Sequence, residues 1–287
     1  MPRNSPTAAR RSLARFLRER RRAAGIPRER VGQYVGKNPV TITRLENAEV
    51  RAEVGTVAML LELYEVPQED RGYFIDLARS ARRRGWWQRY SKDMPSWFSV
   101  YVGLEAEASQ MCVYEVEQVP DLLQTPAYSR ALIESEPAPR PEEAVFRRVD
   151  VRQRRQHRVW EEDPVRLRAI MGEGALYRSV GGDEVMRDQL RHLLRAAGLA
   201  NVTLQVLPFA AGAHAGTDGA FVMLRFPDPR DRDLAYVEYR TGAVYLEEPE
   251  ELESYDLLFD DLTVKALDPS RSAELIERAL SQIPHSP

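Results

Sequence analysis

Cysteine is nearly missing: Cys112 is the one thiol among 287 residues, so no internal disulfide can form. Histidine is scarce as well, and one cysteine with four scattered histidines cannot build a zinc cluster. These absences exclude a disulfide-stapled domain and a zinc cluster, and they fit a reducing cytoplasm. No apolar run approaches the roughly 18 residues that a membrane helix needs. The opening stretch, MPRNSPTAARRSLARFLRERRR, has charge but lacks the unbroken apolar core of a signal peptide. Catalytic signatures are missing too. There is no G-x-S-x-G, no phosphate-binding loop and no H-E-x-x-H, and Gly172-Glu173-Gly174 is too short for a dinucleotide fingerprint. No repeat or low-complexity tract interrupts the chain. The expectation is a cytoplasmic, non-membrane protein with no metal, no cofactor and no enzymatic activity.

What is present is ordinary in amount but uneven in placement. Hydrophobic residues make up 43% and charged residues 30%, which suits a folded chain rather than a disordered one. The net charge of −3 conceals a split. Residues 1–92 hold 20 Lys and Arg against 10 Asp and Glu, a net of +10, while the rest hold 21 against 34, a net of −13. A basic first part facing an acidic remainder points to nucleic acid or another anionic surface as partner for the first part. A solvated basic helix would leave the same trace, so charge alone does not decide.

Helical periodicity organises the basic part. Leu13, Phe16, Leu17 and Ala24 form a stripe from Ser12 to Ala24 that Gly25 stops. Short helices follow at Pro27–Val35 and Pro39–Asn47, then around Val57–Tyr64 and Tyr73–Ala78, with Arg82, Arg83 and Arg84 beyond. Five short helices with brief connections make a compact all-α domain, placed at residues 1–84. The aromatic stretch Gly85–Ser99, with Trp86, Trp87, Trp97 and Phe98, reads as an ordered connection over 85–100. Residues 101–287 read as an α+β domain with a largely antiparallel sheet. Its helices are expected at Leu104–Ser109, Pro126–Glu134, Glu142–Glu161, Asp183–Ala197, Glu250–Leu262 and Ser270–Leu280. Its strands are expected at Met111–Val116, Arg166–Met171, Val202–Leu207 and Phe221–Phe226, with a hairpin of Ala235–Tyr239 and Ala243–Leu246.

The run from Arg28 to Asn47, RERVGQYVGKNPVTITRLEN, meets the steric demands of a helix-turn-helix. Two helices that cross closely need a small residue at the crossing, here Gly32. Their turn needs a residue that tolerates positive φ, here Gly36. The inner faces need apolar residues, supplied by Val31, Val35, Ile42 and Leu45. Asn38 suits the N-cap of the next helix, and Pro39 its first position, where a missing N–H costs nothing. The geometry of such a motif sends its second helix into the major groove of double-stranded DNA. Pro39, Val40, Thr43 and Arg44 then face base edges, with Arg44 suited to a bidentate contact with guanine and Val40 to a thymine methyl. Arg28, Lys37, Asn38 and Thr41 are placed to hold phosphates and fix register. Plain solvent exposure is the competing reading for Thr41 and Thr43.

With these residues in place, residues 12–66 resemble the Xre/Cro/phage-repressor helix-turn-helix family in its five-helix form, including the run from Gly36 to Leu45-Glu46-Asn47. Two departures stand out. Pro27-Arg28 replaces the Ser-Gln that often opens the second helix, and Ala48 replaces the Gly that often follows Glu-Asn, which leaves Asn47 to take a left-handed cap. Residues 101–282 resemble a second unit, the C-terminal domain of actinobacterial WhiJ-like and antitoxin-like regulators. The matching stretches include Tyr114-Glu115, Val119-Pro120-Asp121-Leu122-Leu123-Gln124-Thr125, Leu207-Pro208-Phe209 and Tyr236-Val237-Glu238, with Asp121 standing where relatives usually have Gly. The resemblance implies transcriptional regulation, often with a small protein encoded by a neighbouring gene as partner.

The resulting expectation is a sequence-specific DNA-binding regulator, cytoplasmic and nucleoid-associated. Its second domain holds a homodimer together and receives a signal or a partner. Two alternatives stay open: an antitoxin-like protein whose second domain binds a small protein, and a DNA-tethered enzyme built around His214. In the latter, His214 and Asp218 would form a ligand loop over Ala210–Gly219, which otherwise reads as a long connection between strands. Cys112 sits in an apolar strand pattern and reads as an inert core thiol, while His157 and His192 read as surface residues on charged helices.

Overall fold

The computed structural model describes residues 6–228 and 230–284. The chain forms two compact units. One holds the chain up to Arg89 together with Val100–Glu107 and Asp228–Asp231; the other holds Tyr90–Ser99, Ala108–Pro227 and the chain from Arg232.

The first unit is helical: α1 (Pro6–Ala23), α2 (Arg28–Val35), α3 (Pro39–Glu46), α4 (Val54–Leu63) and α5 (Gln68–Ala81). The five helices fall where the apolar stripes place them. Helix α1 begins earlier than its Leu13–Leu17 stripe suggests, because Ala9 extends the same face by one turn and is buried with it. Helix α5 begins right after Pro67, with Glu69 and Asp70 in its first turn, where carboxylates suit the helix dipole. One core joins the helices around Leu13, Leu17, Val57, Leu60, Leu61 and Phe74. Burying each such side chain contributes about 1.5–3 kcal/mol, and Phe16 stacks on Phe74 with centroids 3.5 Å apart.

Helix α6 (Ser96–Glu105) follows a single 3-10 turn at Trp86–Tyr90, so the aromatic connection is largely helical. The expected helix at Leu104–Ser109 is therefore displaced toward the N-terminus. The segment WFSVYVGLE is apolar nearly all round and shows no 3.6-residue stripe, which is why periodicity missed it.

The second unit holds β1 (Gln110–Glu115), α7 (Pro126–Glu134), α8 (Glu142–Trp160), β2 (Arg166–Gly172), α9 (Gly174–Tyr177), α10 (Asp183–Ala197) and β3 (Val202–Leu207). Then come β4 (Phe221–Arg225), β5 (Leu234–Tyr239), β6 (Gly242–Leu246), α11 (Pro249–Lys265) and α12 (Pro269–Gln282). Among the described residues the strands make one six-stranded sheet in the order β3-β2-β1-β4-β5-β6. The unit is α+β with a mixed sheet: β1, β2 and β3 run parallel, and β1, β4, β5 and β6 pair antiparallel. Parallel neighbours need long crossovers, and helices α7 with α8, then α9 with α10, provide them. Strand β1 is central, and Met111, Cys112, Val113 and Tyr114 are all buried, as a strand covered on both faces requires. One face of the sheet packs Tyr114, Ile170, Phe221 and Met223 against Phe259 and Leu262 of α11. Strands β5 and β6 form a hairpin whose last pair, Tyr239 and Gly242, leaves Arg240-Thr241 as the turn.

Candidate nucleic-acid interface

The turn between α2 and α3 is set by two glycines with different duties. A Cβ on Gly32 would lie 2.5 Å from the Lys37 carbonyl oxygen and 3.3 Å from the Pro39 nitrogen, so the obstacle is the backbone of the turn itself. Gly36 takes φ 66 and ψ 34, the left-handed conformation that ends α2, and the Lys37 N–H donates to the Gly32 carbonyl at 2.8 Å. Asn38 caps α3, its Oδ1 accepting from the Val40 N–H at 2.9 Å, with Pro39 at the first position. Val31, Val35, Ile42 and Leu45 close the space between the helices, each less than a tenth exposed.

This arrangement leaves the opposite face of α3 open. Val40 is 63% exposed, and Arg44 is exposed with its Nε 3.5 Å from a Glu49 carboxylate oxygen, an ion pair that water screens. Pro39 and Thr43 are half-buried beside them, and the Thr43 hydroxyl donates to the Pro39 carbonyl at 3.2 Å. Asn38 is exposed, Thr41 and Lys37 are half-buried, and Lys37 lies 3.3 Å from Glu53. Pro39, Val40, Thr43 and Arg44 thus belong to one short helix, with Lys37, Asn38 and Thr41 at its start. Arg28 is engaged differently, its Nε donating to Glu46 Oε2 at 3.0 Å.

That contact belongs to a cluster that sequence reasoning missed. Glu46, 2% exposed, accepts two bonds from Arg21 of α1, at 2.5 and 3.1 Å, as well as the one from Arg28 of α2. Arg21 also donates to the Ile26 carbonyl at 3.0 Å. One carboxylate at the end of α3 therefore ties three helices together, and its hydrogen bonds hold the Arg21 guanidinium above its ordinary pKa. The signal was on the page as Glu46 within Leu45-Glu46-Asn47, but spacing gives no hint that a charged residue points inward.

The left-handed residue after α3 also differs from expectation. Asn47 sits at φ −92 and ψ 6, and Ala48 takes φ 58 instead. The Ala48 N–H donates to the Leu45 carbonyl and the Glu49 N–H to the Arg44 carbonyl, at 3.1 and 2.9 Å. Closing those two carbonyls needs the left-handed residue one position past the cap, where Ala48 stands.

In the second unit His214 caps its own turn: Nδ1 accepts from the Gly216 N–H at 3.2 Å, and the ring lies edge-on to Tyr114. Asp218 is exposed at the end of that turn. Cys112 is buried and unbonded to another sulfur, and burial pushes its thiol up, so it resists becoming a thiolate. His157 is exposed, whereas His192 is half-buried against Trp160, and burial lowers its pKa. No group of three or more His, Cys, Asp or Glu able to hold a metal occurs among the described residues. No described helix is long and apolar enough to cross a membrane.

Comparison with protein families agrees with this geometry. A helix-turn-helix domain family matches residues 12–74, and the family described as Domain of unknown function (DUF5753) matches residues 98–278, more than half of the chain. A search of the curated proteins finds no match, and a search of the solved structures finds none. The first unit carries the helix-turn-helix of a DNA-binding regulator, and the chain belongs to the DUF5753 family.

Proposed function

We propose that this protein is a sequence-specific transcriptional regulator that works by binding rather than catalysis. It reads the major groove with α3, holds two copies together through its second unit, and receives a signal there. The observation that carries the reading is the open face of α3, with Val40 and Arg44 exposed while Ile42, Leu45 and Glu46 anchor the helix from behind. The net charge of +10 over residues 1–92 supplies the attraction to phosphate. Pro39, Val40, Thr43 and Arg44 read base edges; Lys37, Asn38 and Thr41 hold phosphates, and Arg28 does so with the part of its guanidinium that Glu46 leaves free.

Selection of binding sites from randomised DNA, followed by titration of the full chain, tests this. Arg44→Ala is expected to cost about 1–3 kcal/mol at the selected site and to relax preference at one base position. Lys37→Ala is expected to weaken all sequences alike and to reduce the salt dependence by about one phosphate. No selected consensus, or a uniform loss for Arg44→Ala, would overturn the reading.

A further inference from the structure

The second unit contains a cavity of about 190 Å³. That exceeds the roughly 150 Å³ that admits benzene, so a small organic molecule fits. Its walls differ in charge. Arg148, Arg152 and Arg155 line it from α8, and their spacing of four and three residues puts them on one face of that helix. Glu115 at the end of β1 and Glu238 on β5 line it from the sheet, with Asp121 of the turn after β1 between the two sides. Phe98, Ile133 and Val151 add an apolar wall.

The partners of these groups show which charges are already satisfied. Asp121 receives Arg155 at 2.8 Å and Arg152 at 3.2 Å. Burial pushes its carboxyl up, but those guanidiniums hold it below the usual range. Arg152 also donates to Gln124 at 2.7 Å, and Arg148 pairs with Glu136 through Nη1. A guanidinium has five N–H donors, so donors of Arg148 and Arg152 remain for a guest. On the sheet side Glu238 accepts from the Tyr236 hydroxyl at 2.9 Å and from the Trp97 Nε1 at 3.3 Å, and among the described residues it forms no ion pair. Glu115 bonds Gln118, and burial, with Asp121 and Glu238 nearby, pushes its carboxyl up to about 8. At pH 7 it therefore keeps its proton. The helix wall has cationic donors to offer, and on the sheet wall neither Glu115 nor Glu238 forms an ion pair among the described residues, although Arg152 acts on Glu115 through space.

We infer that this cavity is a binding site for a small zwitterion of amino-acid type: its carboxylate meets Arg148 and Arg152, its ammonium meets Glu238 and Glu115, and its apolar group lies against Phe98, Ile133 and Val151. This deepens the proposed signal reception, on which the zwitterion's role as a signal rests but its binding does not. An arriving ammonium also changes the protonation of Glu115. The charged groups that face Glu115 are Asp121, Arg152 and Glu238, with Arg148 and Arg155 along α8 and the Tyr128 hydroxyl nearby. A cation added on the Glu238 side favours the carboxylate form, so binding at pH 7 releases a proton.

The test uses the full chain without DNA, so its failure is separable from failure of the DNA reading. The twenty protein amino acids are screened singly at millimolar concentration by thermal shift. Each that binds is compared with its decarboxylated amine and its deaminated acid, then titrated calorimetrically at pH 7 in buffers of different ionisation enthalpy. The expected result is that at least one amino acid raises the Tm, that its amine and its acid do not, and that binding releases close to one proton. Glu115→Gln is expected to weaken binding about tenfold or more and to abolish proton release, and Arg148→Gln to weaken it similarly, the size of one lost charge-assisted hydrogen bond. No binder among the amino acids, equal binding by the amine or the acid alone, or no proton release from the unaltered chain would overturn the inference. The last of these needs no variant to fold.

Discussion

Position 48 shows what a single residue can reveal. Ala48 occupies φ 58, a conformation in which a Cβ crowds the following carbonyl at roughly 1–2 kcal/mol. Glycine there would lose that crowding but would add disorder to the unfolded chain, about 0.4–1 kcal/mol. Ala48→Gly is therefore expected to stabilise the first unit by up to about 1 kcal/mol, read from urea denaturation. A loss of stability would mean that the left-handed turn is not retained in solution. Glu46 lies at the other extreme. Removing one partner of a buried ion pair strands the rest, here the guanidiniums of Arg21 and Arg28, and costs about 3–5 kcal/mol. Glu46→Ala should lower the unfolding free energy by that much, whereas Asn47→Ala, at an exposed residue, should change it little. Equal effects would show that the cluster is not a clamp. The sequence announced Gly32, Gly36 and Asn38 because turn chemistry is local. It could not announce Glu46 or the carboxyls of the cavity, because their partners lie on other elements and no local spacing encodes that meeting.

At the scale of elements, periodicity served wherever one face of a helix met a core and failed where burial was not one-sided. The helices Pro126–Glu134 and Asp183–Ala197 and the strand Val202–Leu207 fall where the sequence pattern placed them. Thr125, whose hydroxyl oxygen accepts from the Tyr128 N–H at 3.3 Å, and Gly182 mark the helix starts. Helix α6 was hidden because its residues are apolar on several faces. The parallel half of the sheet was partly legible, since helices were expected between Met111–Val116, Arg166–Met171 and Val202–Leu207. Pairing partners, however, are set by tertiary packing rather than by neighbours in the chain. The α2–α3 crossing allows a sharper test. Gly32→Ala forces a Cβ to within 2.5 Å of a backbone oxygen, so the turn must open; the expected loss is about 1–3 kcal/mol, with DNA binding reduced in parallel. Gly55→Ala is its control. A Cβ at Gly55, in α4, meets nothing within 4 Å, and that change should stabilise by about 0.5–1 kcal/mol. Thermal melting of both variants decides the matter, and equal responses would sink the close-crossing account.

For the whole molecule, charge and reach set the problem. One recognition helix reads only a few base pairs, and the chain beyond residue 92, at −13, adds no attraction to phosphate. Specific binding then calls for two recognition helices on half-sites about one helical turn apart, hence the proposed homodimer. The aromatic side chains of residues 85–100 do not offer that surface, because they are occupied within their own units. Trp87 is 4% exposed, Trp86 stands edge-on to it, Trp97 donates to Glu238, and Arg155 covers Phe98. Helix α11 offers a better surface. Its inner face buries Phe259 and Leu262, yet Leu257 and Val264, seven residues apart on the outer face, are 66% and 84% exposed. Beside them Lys265 pairs with Asp261 at 3.0 Å, which removes a charge that would oppose self-association. Two exposed apolar side chains on a helix that already buries its inner face are what a second copy of α11 would cover. The full chain is therefore expected to be a dimer at micromolar concentration by light scattering and to protect an inverted repeat. Leu257→Arg with Val264→Arg should give a folded monomer. Its affinity for the full site should fall by about 10²–10⁴, the advantage that tethering confers on the second recognition helix. A double variant that stays dimeric would move the interface elsewhere, and an unaltered chain that is monomeric and occupies a single half-site would remove the homodimer from the proposed function.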